Sequence, residues 1–552
     1  MRTLLLAPLM LLLAPAAAPA LDQTEAAPSL HKICGGDLVA PSTTVLPGYG
    51  TGSLAIATNT PAAQAFFDNG LQLSHAFAHK AGTAAFQAAR RLDPACAMCA
   101  WGEAWSLGPT INYPVGADEQ AKASKIVAEA AKLAASGPEK ERQLIAALAL
   151  RYTRGGGSGP GDLAFAKAMD DIARAYPDDS EIATLAADAW MIPTPQKGPK
   201  QARQDRLHRA VALLEGVLKR DPDFTPAIHF YIHATEMSGF PGRAELYANK
   251  LATLAPAASH LVHMPSHTYY WLGRYQDAAD ANVRAAAIDA ADAKAAKLPE
   301  PDGIYQLTYH AHNVQFGIGG ALISGDAKSA LALSAPIIAA VAHMPKGPGY
   351  YDMAAGTGYF AQGRFADPDT VLALPDVPAD RPFLRAYRHY ARGEALARKG
   401  DAVGVRAEAD AIPTRIAIDA KKDDSAPQAL GLTRIARFVL MGRAAMLEKR
   451  PDRAAKFYAA AARIEESPLF ADWTDPPSWW YPVRRSLAAA LLAQGKPKDA
   501  LAQADAALKR RPRDPVTLAL KTEIEATLAG KPASATILAY GRKRRTITPA
   551  MI

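Results

Sequence analysis

An all-α fold, a solenoid of stacked helix–turn–helix units, is the architecture this sequence predicts. Three observations point to it. Alanine recurs throughout, and it carries no helix-propensity cost and lets helices approach closely. Runs rich in Val, Ile and Thr, the mark of strands, are almost absent. From Pro61 onward, amphipathic segments alternate with Gly-x-Tyr-like and Asp-Pro turns, the self-similarity of a repeat array.

The bulk numbers bound the function classes. A chain of 552 residues, 49% hydrophobic and 21% charged, is globular and long enough for about three or four domains or one long array. The formal net charge is +8, but Lys and Arg are interleaved with Asp and Glu. The one dense basic run, "GRKRR" at 541–545, sits in a basic tail spanning 531–552. Scattered charge of this kind gives no nucleic-acid footprint, so no nucleic-acid partner is expected.

The first 20 residues, "MRTLLLAPLMLLLAPAAAPA", carry one positive charge, an apolar run and Ala18-Pro19-Ala20. That is the pattern of a secretory signal peptide cleaved after Ala20. Its apolar run is too short to span a membrane, and no later stretch supplies a transmembrane segment. Export to the periplasm or the medium is therefore expected. There Cys34, Cys96 and Cys99 would meet oxidising conditions. "CAMCA" lacks the histidine of a haem-attachment motif, and two thiols make a poor metal site. A disulfide is expected, within Cys96 and Cys99 or from either to Cys34.

Residues 21–58 read as an extended lead-in rich in Pro, Gly, Thr and Ser, and 59–530 as the repeat array. Its first unit contains Gly70, Phe86, Ala89 and Pro94, and its last Gly495, Ala500, Ala507 and Pro512. Gly273, Tyr275, Ala278 and Ala285 fall in one unit between them, and Gly442, Ala454, Tyr458 and Ala461 in another. This spacing resembles the tetratricopeptide repeat (TPR) family. The resemblance implies helix pairs stacked into a superhelix whose first helices line a concave groove.

Histidine placement carries the functional reading. His229 and His263 are 34 residues apart, and so are His233 and His267. That separation is one repeat, so successive units put imidazoles at the same two positions. Within each unit the pair is i,i+4 and shares a helix face. Glu236 follows His233 by three residues, and His260 precedes His263 by three. Aligned on Gly273 and Gly325, His312 takes the position of His260, and Gln315 that of His263. Pro265 either kinks a helix or starts one. "HFYIHATE", "HLVHMPSH" and "HNVQF" resemble signatures of a group of exported bacterial TPR proteins, which implies architecture and a site but no particular reaction.

Neutral imidazoles gathered in one place suit Cu, Zn or Fe. The metal ligands expected are His229, His233, His260, His263, His267 and His312, enough for two ions with three histidines each, as in dinuclear copper sites. His75, His79, His310 and His343 are secondary candidates, and Glu236 is a candidate ligand or general base. H-E-x-x-H, G-x-S-x-G and Walker loops are absent. Two readings stay open. One is a transition-metal protein, either an oxidoreductase or hydrolase or a metal-handling protein, with a small-molecule or peptide ligand in the groove. The other is a metal-free scaffold that binds a peptide or protein partner there. "WWYPVRR", 479–485, either packs or meets an anionic group.

Overall fold

The computed structural model describes residues 44–112, 114–154, 159–193, 200–340, 349–423, 425–470, 476–531, 537–540 and 543–546. The signal-peptide reading, Cys34 and His343 lie outside them. Among the described residues are 24 α-helices running from Pro61 to Leu528. They alternate as antiparallel pairs in an all-α solenoid of TPR type. Residues 44–60 precede them without a helix, as the lead-in composition predicts. The tail adds something the sequence reading lacked, an antiparallel pair of short strands, Ile537–Tyr540 with Lys543–Thr546.

The repeat residues do what their chemistry allows. In the first pair, Pro61–His75 and His79–Leu92, a Cβ on Gly70 would stand 2.7 Å from the Phe86 ring. Only glycine lets the two helices close to that distance. Gly273 ends the helix Pro265–Leu272 at φ +72°, and Gly325 ends His310–Ser324 at φ +86°. Each holds the left-handed turn in which the next residue's N–H returns to the helix: Arg274 to the Tyr269 carbonyl at 2.8 Å, Asp326 to that of Ala321 at 2.9 Å.

The "HLVHMPSH" segment combines the two forms expected. Ser259–His263 is a short helix, and Pro265–Leu272 is a second one starting at the proline. Met264 between them keeps helical dihedrals (φ −50°, ψ −38°). The proline ring thus bends one helix rather than ending it, and His260 and His263 stay helical.

The expected open groove is not what surrounds the histidines. The N-terminal segment crosses the middle repeats: the Ala257 N–H donates to the Gly48 carbonyl at 3.1 Å, and Thr51 N–H to Thr225 Oγ1 at 2.9 Å. Asn112 Nδ2 donates to the Tyr309 hydroxyl at 3.1 Å. From the other end, Pro512 accepts from the Tyr275 hydroxyl at 2.9 Å. Segments distant in sequence thus cross the repeats that carry the histidines, and Phe77 of the first unit reaches His229, His233 and His260 directly.

Candidate metal centre

Three first helices carry the site: Thr225–Met237, the bent Ser259–Leu272 and His310–Ser324. Each presents its histidines inward because the 3.6-residue period puts i and i+4 one above the other. The six imidazoles divide into two sets of three. Within His229, His233 and His260, one ring nitrogen from each residue lies within 4.8 Å of the others. His263, His267 and His312 form a second set with the same limit. One rule builds both: an i,i+4 pair from one unit plus the advance histidine of the next. The sets adjoin, with ring centroids of His233 and His267 5.6 Å apart and those of His260 and His263 5.5 Å apart. All six are buried, His229 and His263 completely and His312 the least, at 9% exposed.

Partners behind the rings fix which nitrogen faces inward. His229 Nδ1 donates to the His75 carbonyl at 2.6 Å. His263 Nδ1 lies 2.7 Å from Asn282 Oδ1, and Asn282 Nδ2 donates to the Ala278 carbonyl at 2.8 Å, so that amide oxygen has only one way to point. His267 Nδ1 lies 3.1 Å from Glu236 Oε2, while Glu236 Oε1 accepts from Trp271 Nε1 at 3.1 Å. An acceptor at Nδ1 calls for a proton there and leaves the Nε2 lone pair bare.

The consequence is sharpest at His263 and His267, whose Nε2 atoms stand 3.1 Å apart. With both Nδ1 atoms protonated, two lone pairs face one another in a buried space. Two occupants relieve this: a proton that makes one ring an imidazolium balanced by Glu236, or a metal cation. In the first set His229 and His260 bring their Nε2 atoms to 3.2 Å. There His260 can donate from Nε2, because its Nδ1 has no hydrogen-bond partner.

Burial holds three of the rings neutral. Removal from water pushes His229 from 6.5 down to about 3, with His75, His267 and His79 adding repulsion and the His75 carbonyl opposing. Burial likewise drives His260 well below 6.5, followed by repulsion from His229, His263, His233 and His312. His263 falls well below it by burial and by His267, against the Asn282 bond. Neutral imidazole is the form that binds a metal.

Aromatic rings close the space. Phe316 lies 4.6, 4.8 and 4.4 Å from His263, His267 and His312 between centroids. Tyr309 lies 4.3 Å from His260. Phe77 stacks on His260 at 4.8 Å and meets His229 edge-on at 4.5 Å. Phe77 also has a left-handed backbone, φ 59°. It occupies the turn position that Gly273 and Gly325 occupy in their units, with Ala78 N–H returning to the Leu73 carbonyl at 2.9 Å. A non-glycine residue there costs about 1–2 kcal/mol. The surroundings hold that strain beside the site, as functional sites often do.

The sequence-derived residues sort accordingly. His229, His233, His260, His263, His267 and His312 come together. Glu236 stands behind His267 as its acceptor. His79 stacks on Phe77 at 5.1 Å, outside both sets. His310 is bonded to Asp289 Oδ2 at 3.0 Å and is also outside. Cys96 and Cys99 are joined in a disulfide. In "WWYPVRR", Arg485 pairs with the buried Asp514, so that motif packs. Sequence reasoning missed Phe77, Asn282 and Phe316. The missing glycine after the first helix is a readable signal for Phe77. Asn282, in an alanine-rich helix, offers a weaker one.

No protein-family model and no curated protein matches the chain. Among solved structures, yeast Tom70 aligns at 11% identity over 86% of this chain and 97% of its own, with a TM-score of 0.32. Human IFIT1, in a dimer with m7Gppp-AAAA, aligns at 14% over 75% and 88%, TM-score 0.28. The Cut9–Hcn1 hetero-tetramer of APC/C contributes a chain at 12% over 84% of each, TM-score 0.24. Similarity at this level extends to no ligand, partner or activity of those proteins.

Proposed function

We propose that the two histidine sets hold a dinuclear transition-metal centre, and that the protein is an exported, copper-dependent oxidoreductase acting on small molecules. The observation that carries it is the His263–His267 contact, two inward lone pairs with His312 converging on them as a third. With acceptors behind His263 Nδ1 and His267 Nδ1, the three imidazoles offer a metal three ring nitrogens within 4.8 Å of one another. Six imidazoles with no thiolate, and a carboxylate only behind one ring, favour a borderline metal over Mg, Ca or Mn. Copper, when bound by two such sets, supplies one-electron chemistry at each ion.

The chain's own residues prepare that site. His75, Asn282 and Glu236 aim the imidazoles. Phe77, Tyr309 and Phe316 exclude water. Burial keeps His229, His260 and His263 unprotonated at neutral pH. The six imidazoles are buried, at most 9% exposed, which favours a small substrate over a peptide laid along them. The signal-peptide pattern and the Cys96–Cys99 disulfide support an oxidising, exported setting.

Elemental analysis of protein purified from its native compartment tests the proposal. Two copper ions per chain are expected, with His229→Ala and His263→Ala each losing at least one. Two zinc ions would replace the redox reading with a hydrolytic one. Substoichiometric metal, with no thermal stabilisation by copper, zinc or iron, would leave the scaffold reading.

A further inference from the structure

A second feature lies on the far side of Phe77. A small cavity, with room for about one or two waters, is lined by Ser74, His75, Phe77, Trp105, Asp188 and Phe230. Four helices far apart in the chain build it, and Phe77 separates it from the His229 set. Its walls are aromatic: centroids of His75 and Trp105 are 5.4 Å apart, of His75 and Phe230 5.7 Å, and of Phe77 and Phe230 6.1 Å.

Asp188 and His75 present acceptors to it, beside the Ser74, Ser106 and Thr110 hydroxyls and the His79 ring. Asp188, on the helix Ser180–Met191, is only 7% exposed, and its carboxylate makes no hydrogen bond among the described residues. His75 Nε2 is engaged by Glu181 Oε1 at 2.5 Å, and its Nδ1 has no hydrogen-bond partner. Ser74 Oγ has none either. The nearby cation is committed elsewhere: Arg151 Nε donates to Asp162 Oδ1 at 3.0 Å, and both residues are fully buried. A proton on His75 Nε2, held by Glu181, leaves that ring neutral with its Nδ1 as an acceptor. With the Arg151–Asp162 pair counted as neutral, Asp188 and Glu181 then leave negative charge uncompensated.

We infer that this cavity binds a small ammonium cation, ammonium or methylammonium, with its N–H groups on Asp188 and His75 Nδ1 and its charge against the faces of Trp105 and Phe230. A buried carboxylate calls for a compensating charge or a proton. Aromatic faces attract a cation electrostatically. Both features select a compact hydrogen-bond donor and reject an anion. In keeping with this, burial pushes the Asp188 carboxyl from 3.8 up to about 6, even against Arg151 and His75, so the carboxylate is held there at a cost. The inference rests on the cavity alone and stands apart from the metal reading.

The test is titration of the full mature chain with methylammonium chloride against sodium chloride at equal ionic strength, followed by calorimetry and by Trp fluorescence. Saturable binding in the millimolar range is expected, the most a ligand of two heavy atoms supports. Asp188→Asn should weaken it at least tenfold, while Asp171→Asn, at an exposed carboxylate, should not change it. Should Asp188→Asn fail to fold, magnetisation transfer from the ligand methyl group to the indole of Trp105 reads the same contact in the wild type. Absence of saturation, equal response to sodium or potassium, or no transfer to Trp105 would overturn the inference. Binding retained by His263→Ala is expected whether or not the protein carries metal, so the two proposals fail separately.

Discussion

Two regions of this protein bury polar side chains among aromatic rings, and they balance charge in opposite ways. In the C-terminal repeats the balance is internal. Arg485 and Asp514, both fully buried, pair at 3.2 Å, and the guanidinium lies 4.1 Å from the centre of the Tyr481 ring. Arg443, 2% exposed, pairs with Glu394 at 3.1 Å. In the histidine region one carboxylate, Glu236, faces six imidazoles, and lone pairs meet each other. The first region gives each of these guanidinium groups a carboxylate of its own, although Arg485 Nε and Nη2 make no hydrogen bond. The second gathers imidazoles with a single carboxylate behind them. Burial and aromatic packing are common to both, so neither marks function, and the difference lies in which groups lack complements.

The largest effect expected is in the C-terminal region. Asp514→Ala leaves a buried guanidinium unpaired and also removes the acceptor of the Thr517 hydroxyl. The cost should be about 3–5 kcal/mol in denaturant unfolding, with metal content per folded chain unchanged. A loss under about 1 kcal/mol would mean the pair is not what balances that region.

Next comes the metal itself. Adding copper to stripped protein should stabilise it by about 3–4 kcal/mol when free metal exceeds its dissociation constant by a hundred- to a thousandfold. The gain should persist in Asp514→Ala and be reduced in His263→Ala. A gain of equal size in His263→Ala would place the metal elsewhere.

The two regions should also answer pH with opposite sign. His229 is depressed from 6.5 to about 3 in the fold. Between those values the unfolded chain binds the extra proton, so stability of the metal-free protein falls as pH drops through that window. In the C-terminal half, burial raises Glu465 from 4.5 to about 7, despite the nearby Arg510 and Arg511 charges and the Val483 N–H. There the folded state binds the extra proton, so its contribution is full below 4.5 and is lost as pH rises to about 7. Unfolding measured from pH 3 to 8 should show both limbs, with Glu465→Gln flattening the second and His229→Phe the first. A Glu465→Gln profile that overlays the wild type would remove the contrast.

The repeat period made much of this legible. Because 34 residues return a side chain to the same place, the identity of His229 with His263 and of His233 with His267 could be read directly, and the alignment on Gly273 and Gly325 put His260 and His312 in one class. The division into sets was not legible. It depends on His260 reaching back to the preceding unit, and so on how far one unit is turned from the next. The enclosure escaped for a similar reason: contacts such as Gly48 with Ala257 and Tyr275 with Pro512 join segments whose meeting no local pattern encodes. At Phe77 the missing glycine marks the turn, but nothing local tells that its ring meets histidines more than 150 residues away.

That residue supplies the smallest and most pointed comparison. Lys449 ends a C-terminal helix in the same left-handed turn, at φ 56°, with Arg450 N–H returning to the Ala445 carbonyl at 2.8 Å. Lys449 is exposed, so Lys449→Gly should relieve strain and lose little, a gain of about 1 kcal/mol. Phe77 is 3% exposed, and deleting a buried phenyl ring costs about 3–5 kcal/mol. Phe77→Gly recovers the same backbone strain and should still destabilise by about 2 kcal/mol. The variant should also open the His229 set to solvent, read as faster loss of metal to a chelator, while Lys449→Gly leaves that rate alone. If the two substitutions moved stability in the same direction, the strain at Phe77 would be an ordinary helix-end feature and not one maintained by the rings it touches.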